Sequence, residues 1–250
     1  MILYFSATGN SKYVAERIAS AFNDTALSIE RADTTIALED NEMLGIVTPV
    51  NWWELPVLTR EFLEQLKVSN NRDAYTFIVT TYGTTPGCTF DDARKILAKR
   101  GIALRAGFSV KMPDNWTPVF DLSDPEKVNK INEEAETYID DVIGHLRDRD
   151  TGNHMQHKMP YAVRVFTDPL LNAERKTKKF SVDDSCIGCG LCAKRCPVHA
   201  IRIQDGKPVW VKGECALCLR CLHHCPKFAI QYGNGKTRQH GQYTNPHTRV

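Results

Sequence analysis

The sequence predicts an α/β fold, a doubly wound parallel sheet of five strands, followed by a second, smaller domain of mixed α and β structure. Three observations carry this. Across residues 1–150, short apolar runs alternate with helical patterns, which implies a parallel sheet with helices on both faces. Eight of the nine cysteines lie between Cys186 and Cys225. The charge divides along the same line: residues 1–150 hold 16 Lys and Arg against 24 Asp and Glu, net −8, and residues 151–250 hold 16 against 6, net +10.

The strands are read at Ile2–Phe5, Thr25–Ile29, Leu44–Thr48, Tyr75–Thr80 and Ala103–Val110. Asn10–Phe22 has helical spacing, with Tyr13, Val14, Ile18, Ala21 and Phe22 on one face. Pro56–Leu66 opens with proline in its first turn. Thr89–Lys99 is a helix closed by Gly101, and Pro125–Leu146 is a longer one with Val128, Ile131, Ala135, Tyr138, Ile139, Val142 and Leu146 as its stripe. Five such strands suit a fold that binds ligands at the carboxyl edge of its sheet. At 42% hydrophobic and 25% charged residues, the chain can bury a core and is not a disordered polymer.

Residues 151–182 break the pattern and read as a connector, in which Tyr161–Phe166 is a candidate strand and Arg175–Lys179 a charge run. Residues 183–235 contain an internal repeat at an offset of 29: Cys186, Cys189, Cys192, Cys196 and Pro197 match Cys215, Cys218, Cys221, Cys225 and Pro226, and Ala200-Ile201 matches Ala229-Ile230. Between the copies, Asp205-Gly206 separates two apolar runs and reads as a hairpin turn. Residues 236–250, rich in Gly, Asn, Gln and His, are expected to form a loose tail.

No run approaches the roughly 18 apolar residues of a membrane span, and Met1–Phe5 has no basic lead, so a cytoplasmic location is expected. In that setting crowded cysteines read as metal ligands rather than disulfides. Each copy has the spacing C-x2-C-x2-C-x3-C-P, and in this it resembles the bacterial two-cluster ferredoxins. Structural zinc takes cysteine pairs separated by a longer loop, and two complete triads fit that poorly. The resemblance implies two [4Fe-4S] clusters, one held by Cys186, Cys189, Cys192 and Cys225, the other by Cys215, Cys218, Cys221 and Cys196. Lys194, Arg195, Arg202, Lys212, Arg220 and Lys227 lie within or beside the motifs, where positive charge favours a reduced cluster. A nucleic-acid patch would need interleaved aromatics, which are missing there, so no nucleic-acid partner is expected. His223 and His224 sit between two ligands and read as an exposed, inert pair.

Ile2–Phe5 runs into Ser6-Ala7-Thr8-Gly9-Asn10-Ser11 and then a helix. Hydroxyls, a glycine and the free N–H groups of a helix N-terminus make an anion cradle. With no lysine in the loop and no G-x-G-x-x-G, it favours a monophosphate over a dinucleotide or a nucleoside triphosphate. Here the N-terminal part resembles the flavodoxin family. The resemblance implies FMN, its phosphate held by Ser6, Thr8, Gly9, Asn10 and Ser11. It also implies a ring site between the loop after the third strand (Val50, Asn51, Trp52, Trp53) and the loop after the fourth (Thr81, Tyr82, Gly83). One of Trp52 and Trp53 is expected to stack on the ring with Tyr82 nearby, the other reading being that they pack under the loop or against the cysteine domain. Asn51 and Gly83 are both candidates for the flexible residue beside the ring. Lys111–Trp116 follows the fifth strand at the same edge, to cover the ring or meet a partner. Cys88 has no place in the cluster ligand sets, and His154 and His157 form no convincing metal motif.

The whole chain thus resembles a flavodoxin–ferredoxin fusion of the EFR type: a flavodoxin-like FMN domain over 1–150, a connector over 151–182, a two-[4Fe-4S] ferredoxin domain over 183–235 and a tail over 236–250. The function this implies is electron transfer between FMN, two clusters and redox partner proteins. The alternative is an FMN-dependent reductase of a small molecule, fed through the clusters. No acid–base pair or nucleophile stands out beside the loops, which favours the carrier.

Overall fold

The computed structural model describes residues 1–39, 42–70, 74–157 and 159–250, with the backbone alone for 163–168. Its first part contains β1 (Ile2–Tyr4), α1 (Asn10–Ala21), β2 (Ala26–Ser28), β3 (Thr35–Ala37), β4 (Met43–Pro49), α2 (Val57–Gln65), β5 (Lys67–Ser69), β6 (Tyr75–Tyr82), α3 (Thr89–Lys99), β7 (Leu104–Lys111), α4 (Pro125–Arg147) and β8 (Gly152–Asn153). The five expected strands are present in the order β2-β1-β4-β6-β7, all parallel, which is the doubly wound arrangement. Two departures are small. The two residues of β8 add a sixth strand beside β7, and β3 and β5 pair with each other outside the main sheet.

The central strands are buried on both faces. On one side Phe77, Val79, Phe108 and Val110 pack with Val14 and Ile18 of α1 and Ile139, Val142 and Leu146 of α4. On the other, Leu3, Leu44, Ile46 and Ile78 pack with Phe62 and Leu63 of α2 and Ala93 and Leu97 of α3. Local chemistry sets the helix ends. Asp124 caps α4 by accepting from the N–H groups of Glu126 (3.0 Å) and Lys127 (3.2 Å), and Gly101 closes α3 at φ +72°.

The second part comprises α5 (Arg164–Glu174), β9 (Phe180–Val182), α6 (Leu191–Lys194), β10 (Ile201–Gln204), β11 (Lys207–Trp210), α7 (Arg220–His223), β12 (Ile230–Tyr232) and α8 (Lys236–His240). The expected hairpin is β10–β11. The segment 161–166, a candidate strand from its composition, is instead a 3₁₀ turn leading into α5, which brings Leu171 into the apolar core of this part. Among the described residues no strand pairs with it, and its backbone groups close on themselves in a helix. The charge run is ordered as well: the Arg175 side chain donates to the Cys215 carbonyl (2.9 Å), and β9 pairs with β12.

Residues 236–250 are not loose. They form α8 and then cross the amino-terminal edge of α1. Tyr243 and Asn245 are buried there, and the Tyr243 hydroxyl donates to Asn10 Oδ1 (2.6 Å). Its oxygen lies 3.0 Å from Asn132, whose Nδ2 is buried without a partner as drawn. One hydroxyl proton cannot serve two carbonyl oxygens. Turning the Asn132 amide over lets Nδ2 donate to the Tyr243 oxygen while the hydroxyl donates to Asn10, and leaves an amide oxygen rather than a donor unpaired. Polar residues that read as a tail are here the partners of buried amides. Tyr243→Phe should therefore cost about 1–3 kcal/mol of stability, read as a lowered thermal midpoint, because it removes the partner of the buried Asn132 amide and one of the two donors to Asn10 Oδ1.

Candidate functional site

A cleft of about 280 Å³ opens at the carboxyl edge of the sheet. Of the residues expected to meet a flavin nucleotide, Ser6, Thr8, Asn10, Ser11, Val50, Asn51, Trp52, Trp53, Thr81, Tyr82 and Gly83 line it, and Gly9 lies just behind. Gly9 adopts φ +109° and stands so close to the carboxyl-terminal segment that a Cβ would fall 2.7 Å from that of Asn245. Ser6 Oγ accepts from the Gly9 N–H (3.1 Å), Thr8 Oγ1 accepts from Asn115 (2.8 Å), and the hydroxyls of Ser11 and Thr81 share a hydrogen bond (2.8 Å). The Thr8 proton and one proton of the Ser11–Thr81 pair remain to be donated. The Asn10 side chain is turned away, bonded to the Pro113 carbonyl (3.2 Å), Tyr243 and Asn245, so this residue offers its backbone rather than its amide.

The loop's carbonyls are held from behind. Ser6 O accepts from Arg220 Nη2 (2.7 Å), Ala7 O from His224 Nε2 (2.9 Å) and Thr8 O from the Asn245 N–H (2.7 Å). In a planar trans peptide the C=O and the next N–H point opposite ways, so these outward carbonyls turn the following N–H groups inward, that of Gly9 onto Ser6 Oγ and those of Ala7 and Thr8 toward the cleft side. With no acidic residue in the first turn of α1, this is a nest for an anion. The donor set fits the phosphate of FMN.

Trp52 (φ +47°) and Trp53 (φ +66°) occupy the two corner positions of a tight turn closed by reciprocal Asn51–Glu54 backbone bonds of 3.0 Å. Such a turn normally takes Asn-Gly, and each left-handed residue costs roughly 1–2 kcal/mol. Strain of this kind collects at ligand sites. Gly87 makes the turn possible, since a Cβ there would lie 2.1 Å from the Trp53 carbonyl. Trp52 meets Trp53 (5.5 Å) and Trp116 (6.1 Å) edge-on and packs on the cysteine domain, as the second of the two readings expected, while still lining the cleft. Asp114, Asn115 and Trp116 complete the wall, and burial pushes the Asp114 carboxyl up. Asp114 fills the space beside Gly83, where a Cβ would fall 2.2 Å from its own. Cys88 is buried, its thiol directed at the carbonyls of Met159 (3.7 Å) and Pro160 (3.6 Å), away from any exposed position.

The cysteines form two groups. Cys186, Cys189, Cys192 and Cys225 surround one small cavity together with Ile187, Ile203 and Pro208. Cys196, from the first run, lies among Cys215, Cys218 and Cys221 of the second, and the charges of these four bear on one another. The fourth cysteine of each run thus lies with the other run's triad. Burial pushes the Cys218 thiol up to about 11 and raises Cys221 well above its usual value, so neither ionises on its own near neutral pH. Backbone N–H groups are aimed at sulfur in both copies, Ala200 at Cys196 (3.2 Å) and Ala229 at Cys225 (3.3 Å). Among the described residues no trio of His, Cys, Asp or Glu closes round a single ion; thiols at the corners of a four-iron cube stand further apart than that.

The repeat is broken where it meets the cleft. Gly188 (φ +66°) and Gly190 (φ +74°) of the first copy correspond to Leu217 (φ +52°) and Leu219 (φ +52°) of the second. The backbone is the same, but two leucines adopt a conformation that suits glycine. Both are buried, and both line the cleft beside Cys218. His223 and His224 were expected at the surface, yet His223 is buried and burial lowers it to about 4. It is neutral, donating from Nε2 to the Asn115 carbonyl (2.8 Å) and accepting the Tyr243 N–H at Nδ1 (3.1 Å). His224 is lowered in the same way by burial. Both are docking residues between the two halves, which spacing within the cysteine motif cannot reveal.

The profile of the flavodoxin domain matches residues 1–141, and that of the 4Fe-4S dicluster domain matches residues 178–240. The chain belongs to the flavodoxin family, and with its second domain it is a flavodoxin–ferredoxin fusion, a flavin and iron–sulfur electron-transfer protein. A flavodoxin domain implies FMN and a dicluster domain implies two [4Fe-4S] clusters. Among solved structures, a short-chain flavodoxin associated with a non-canonical PDU bacterial microcompartment is 13% identical, covering 56% of this chain and 95% of that one, with a TM-score of 0.34. A putative flavoprotein from Bacteroides uniformis ATCC 8492 is 17% identical over 53% of this chain and 96% of that one, with a TM-score of 0.35. The TIGR4 flavodoxin of Streptococcus pneumoniae is 16% identical over 56% and 97%, with a TM-score of 0.34. No curated protein matches the chain.

Leu219→Gly restores the residue found in the first copy and relieves the backbone. Iron content should stay unchanged, whereas FMN affinity, measured by fluorescence titration, should fall at least about tenfold as the cleft loses a buried leucine.

Proposed function

We propose that this protein is an electron relay in which FMN and the inner cluster exchange electrons within one molecule, while the outer cluster meets a separate one-electron carrier. One observation carries the reading. Cys218, a member of the inner ligand set, lines the same cleft as the phosphate loop and the tryptophans. Bound there, FMN would hold one or two electrons and the clusters one each, which converts between paired and single electrons. The chain supplies position: Ser6, Thr8, Gly9, Asn10 and Ser11 hold the phosphate end, Val50, Asn51, Trp52, Trp53, Thr81, Tyr82 and Gly83 frame the ring, and the eight cysteines of the repeats ligate the clusters.

The outer site supports a carrier as partner. Cys189 and Ile187 are exposed, Ile187 by 62%, and Ile203 beside them is half open. Lys227 lines the same cavity, so an acidic partner with an apolar centre fits this face.

The reductase reading has one observation in its favour: Asp114, raised by burial in the cleft, is placed to hold a proton. The relay reading is preferred because Cys218 of the inner ligand set lines that same cleft.

Flash photoreduction of the loaded protein tests the relay. The rate of exchange between flavin and cluster should not change with protein concentration. A rate that rises linearly with concentration means exchange between molecules and refutes it.

A further inference from the structure

Arg220 is a buried charged residue that joins the two halves, and one of its groups is unaccounted for. It is only 5% exposed. The end of its guanidinium grips Glu30, Nη1 to Oε2 at 2.7 Å and Nη2 to Oε1 at 2.5 Å. Nη1 also donates to the Arg195 carbonyl (3.2 Å) and Nη2 to Ser6 O of the phosphate loop (2.7 Å). Nε, on the remaining side of the fork, is buried with no partner. A buried charged donor left unpaired is costly, so such a group ordinarily has something to bond. The anionic groups that bear on Arg220, besides Glu30, are Cys218 and Cys196, both in the inner ligand set.

The internal repeat sharpens the point. The position 29 residues earlier is Leu191, in the run that supplies three cysteines of the outer set. The first copy therefore has an apolar side chain where the second has a guanidinium. Two backbone N–H donors are shared between the copies, Ala200 onto Cys196 and Ala229 onto Cys225, and the inner set has a longer third, Leu217 onto Cys215 (3.4 Å). Arg220 is not shared.

We infer that Arg220 Nε–H donates to a sulfur of the inner cluster and makes the two clusters inequivalent, holding the inner one at the higher potential so that an electron arriving at the outer cluster settles beside the flavin. The inference rests on the cluster assignment proposed above. Positive charge and hydrogen bonds to sulfur both stabilise the reduced, more negative state, so each raises the potential. Glu30 takes the opposite end of the guanidinium, which keeps the fork oriented with Nε free. Arg220 is thus a positioning and tuning residue; it also fixes the phosphate loop through Ser6.

Redox titration of the full, cluster-loaded protein, followed by electron paramagnetic resonance, tests this. The wild type should show two cluster potentials separated by at least tenfold in the reduction equilibrium, which for one electron is 59 mV. Arg220→Leu, which copies the first repeat, should lower the higher potential alone and close most of the gap. Glu30→Gln, which keeps Arg220 but removes the nearby negative charge, should move the same potential upward. A merely structural role for Arg220 would move neither potential selectively. Equal shifts of both clusters, a shift of the lower one, or two coincident potentials in the wild type overturn the inference. If Arg220→Leu loads no iron, Arg220→Lys, which keeps the positive charge and removes the Nε–H donor, decides: a fall of the higher potential alone supports the inference, and no selective shift overturns it. A wild type that binds fewer than two clusters refutes the assignment beneath the inference, and is seen before any variant is made.

Discussion

The back of the phosphate loop is the constraint on which this protein depends. Three consecutive carbonyls, of Ser6, Ala7 and Thr8, are each bonded to the carboxyl-terminal half: to Arg220, to His224 and to the Asn245 backbone. Through the planarity of the peptide, those bonds turn the N–H groups of Ala7 and Thr8 toward the cleft. The same contacts bring the turn bearing Leu217, Cys218 and Leu219 to the cleft's other wall. Anion binding and the approach of the inner cysteine site are therefore one structural event. This arrangement also explains the absence of a lysine from the loop: its field comes from oriented amides and from the guanidinium behind them.

Much of the sequence serves that seam at a local cost. Trp52 and Trp53 hold a turn that suits Asn-Gly, and Leu217 and Leu219 hold conformations that the sister copy gives to glycine. Four strained residues facing one cleft mark a place where side chains were needed at positions the backbone would leave to small ones. The charge division works in the same direction. The net −8 of the first 150 residues and the net +10 of the rest meet at Arg220, buried itself and paired with the more open Glu30, and at Lys12 and Glu16, which bond to Thr248. Salt screens the long-range attraction but not the neutral hydrogen bonds beside these contacts, so the interface persists at ionic strengths where bare charge attraction fades.

The parts legible in the sequence are those governed by short-range pattern. The five strands fall within about a residue or two of their expected places because buried runs alternate with helical stripes. Cysteine spacing announces the cluster domain, and the geometry then places Cys196 and Cys225 each with the other run's triad. The rest depends on partners distant in the chain. Nothing local to His223 shows that it is buried against the Asn115 carbonyl, 108 residues away. Residues 236–250 look like a solvated tail because Asn245, Tyr243 and Gln242 find their partners, Asn10, Asn132 and Leu222, only after folding. One signal was available: the repeat, read for its mismatches, exposes Leu217, Leu219 and Arg220 as the positions where the second copy departs from the first.

The central claim is that the two halves form one body in solution. Small-angle X-ray scattering measures this most directly. A compact chain of this length has a radius of gyration on the order of 18 Å, and docking through buried contacts predicts a value near that, unchanged between low and high salt. A radius several ångströms larger, or one that grows as salt is added, would mean that the halves are tethered but separate.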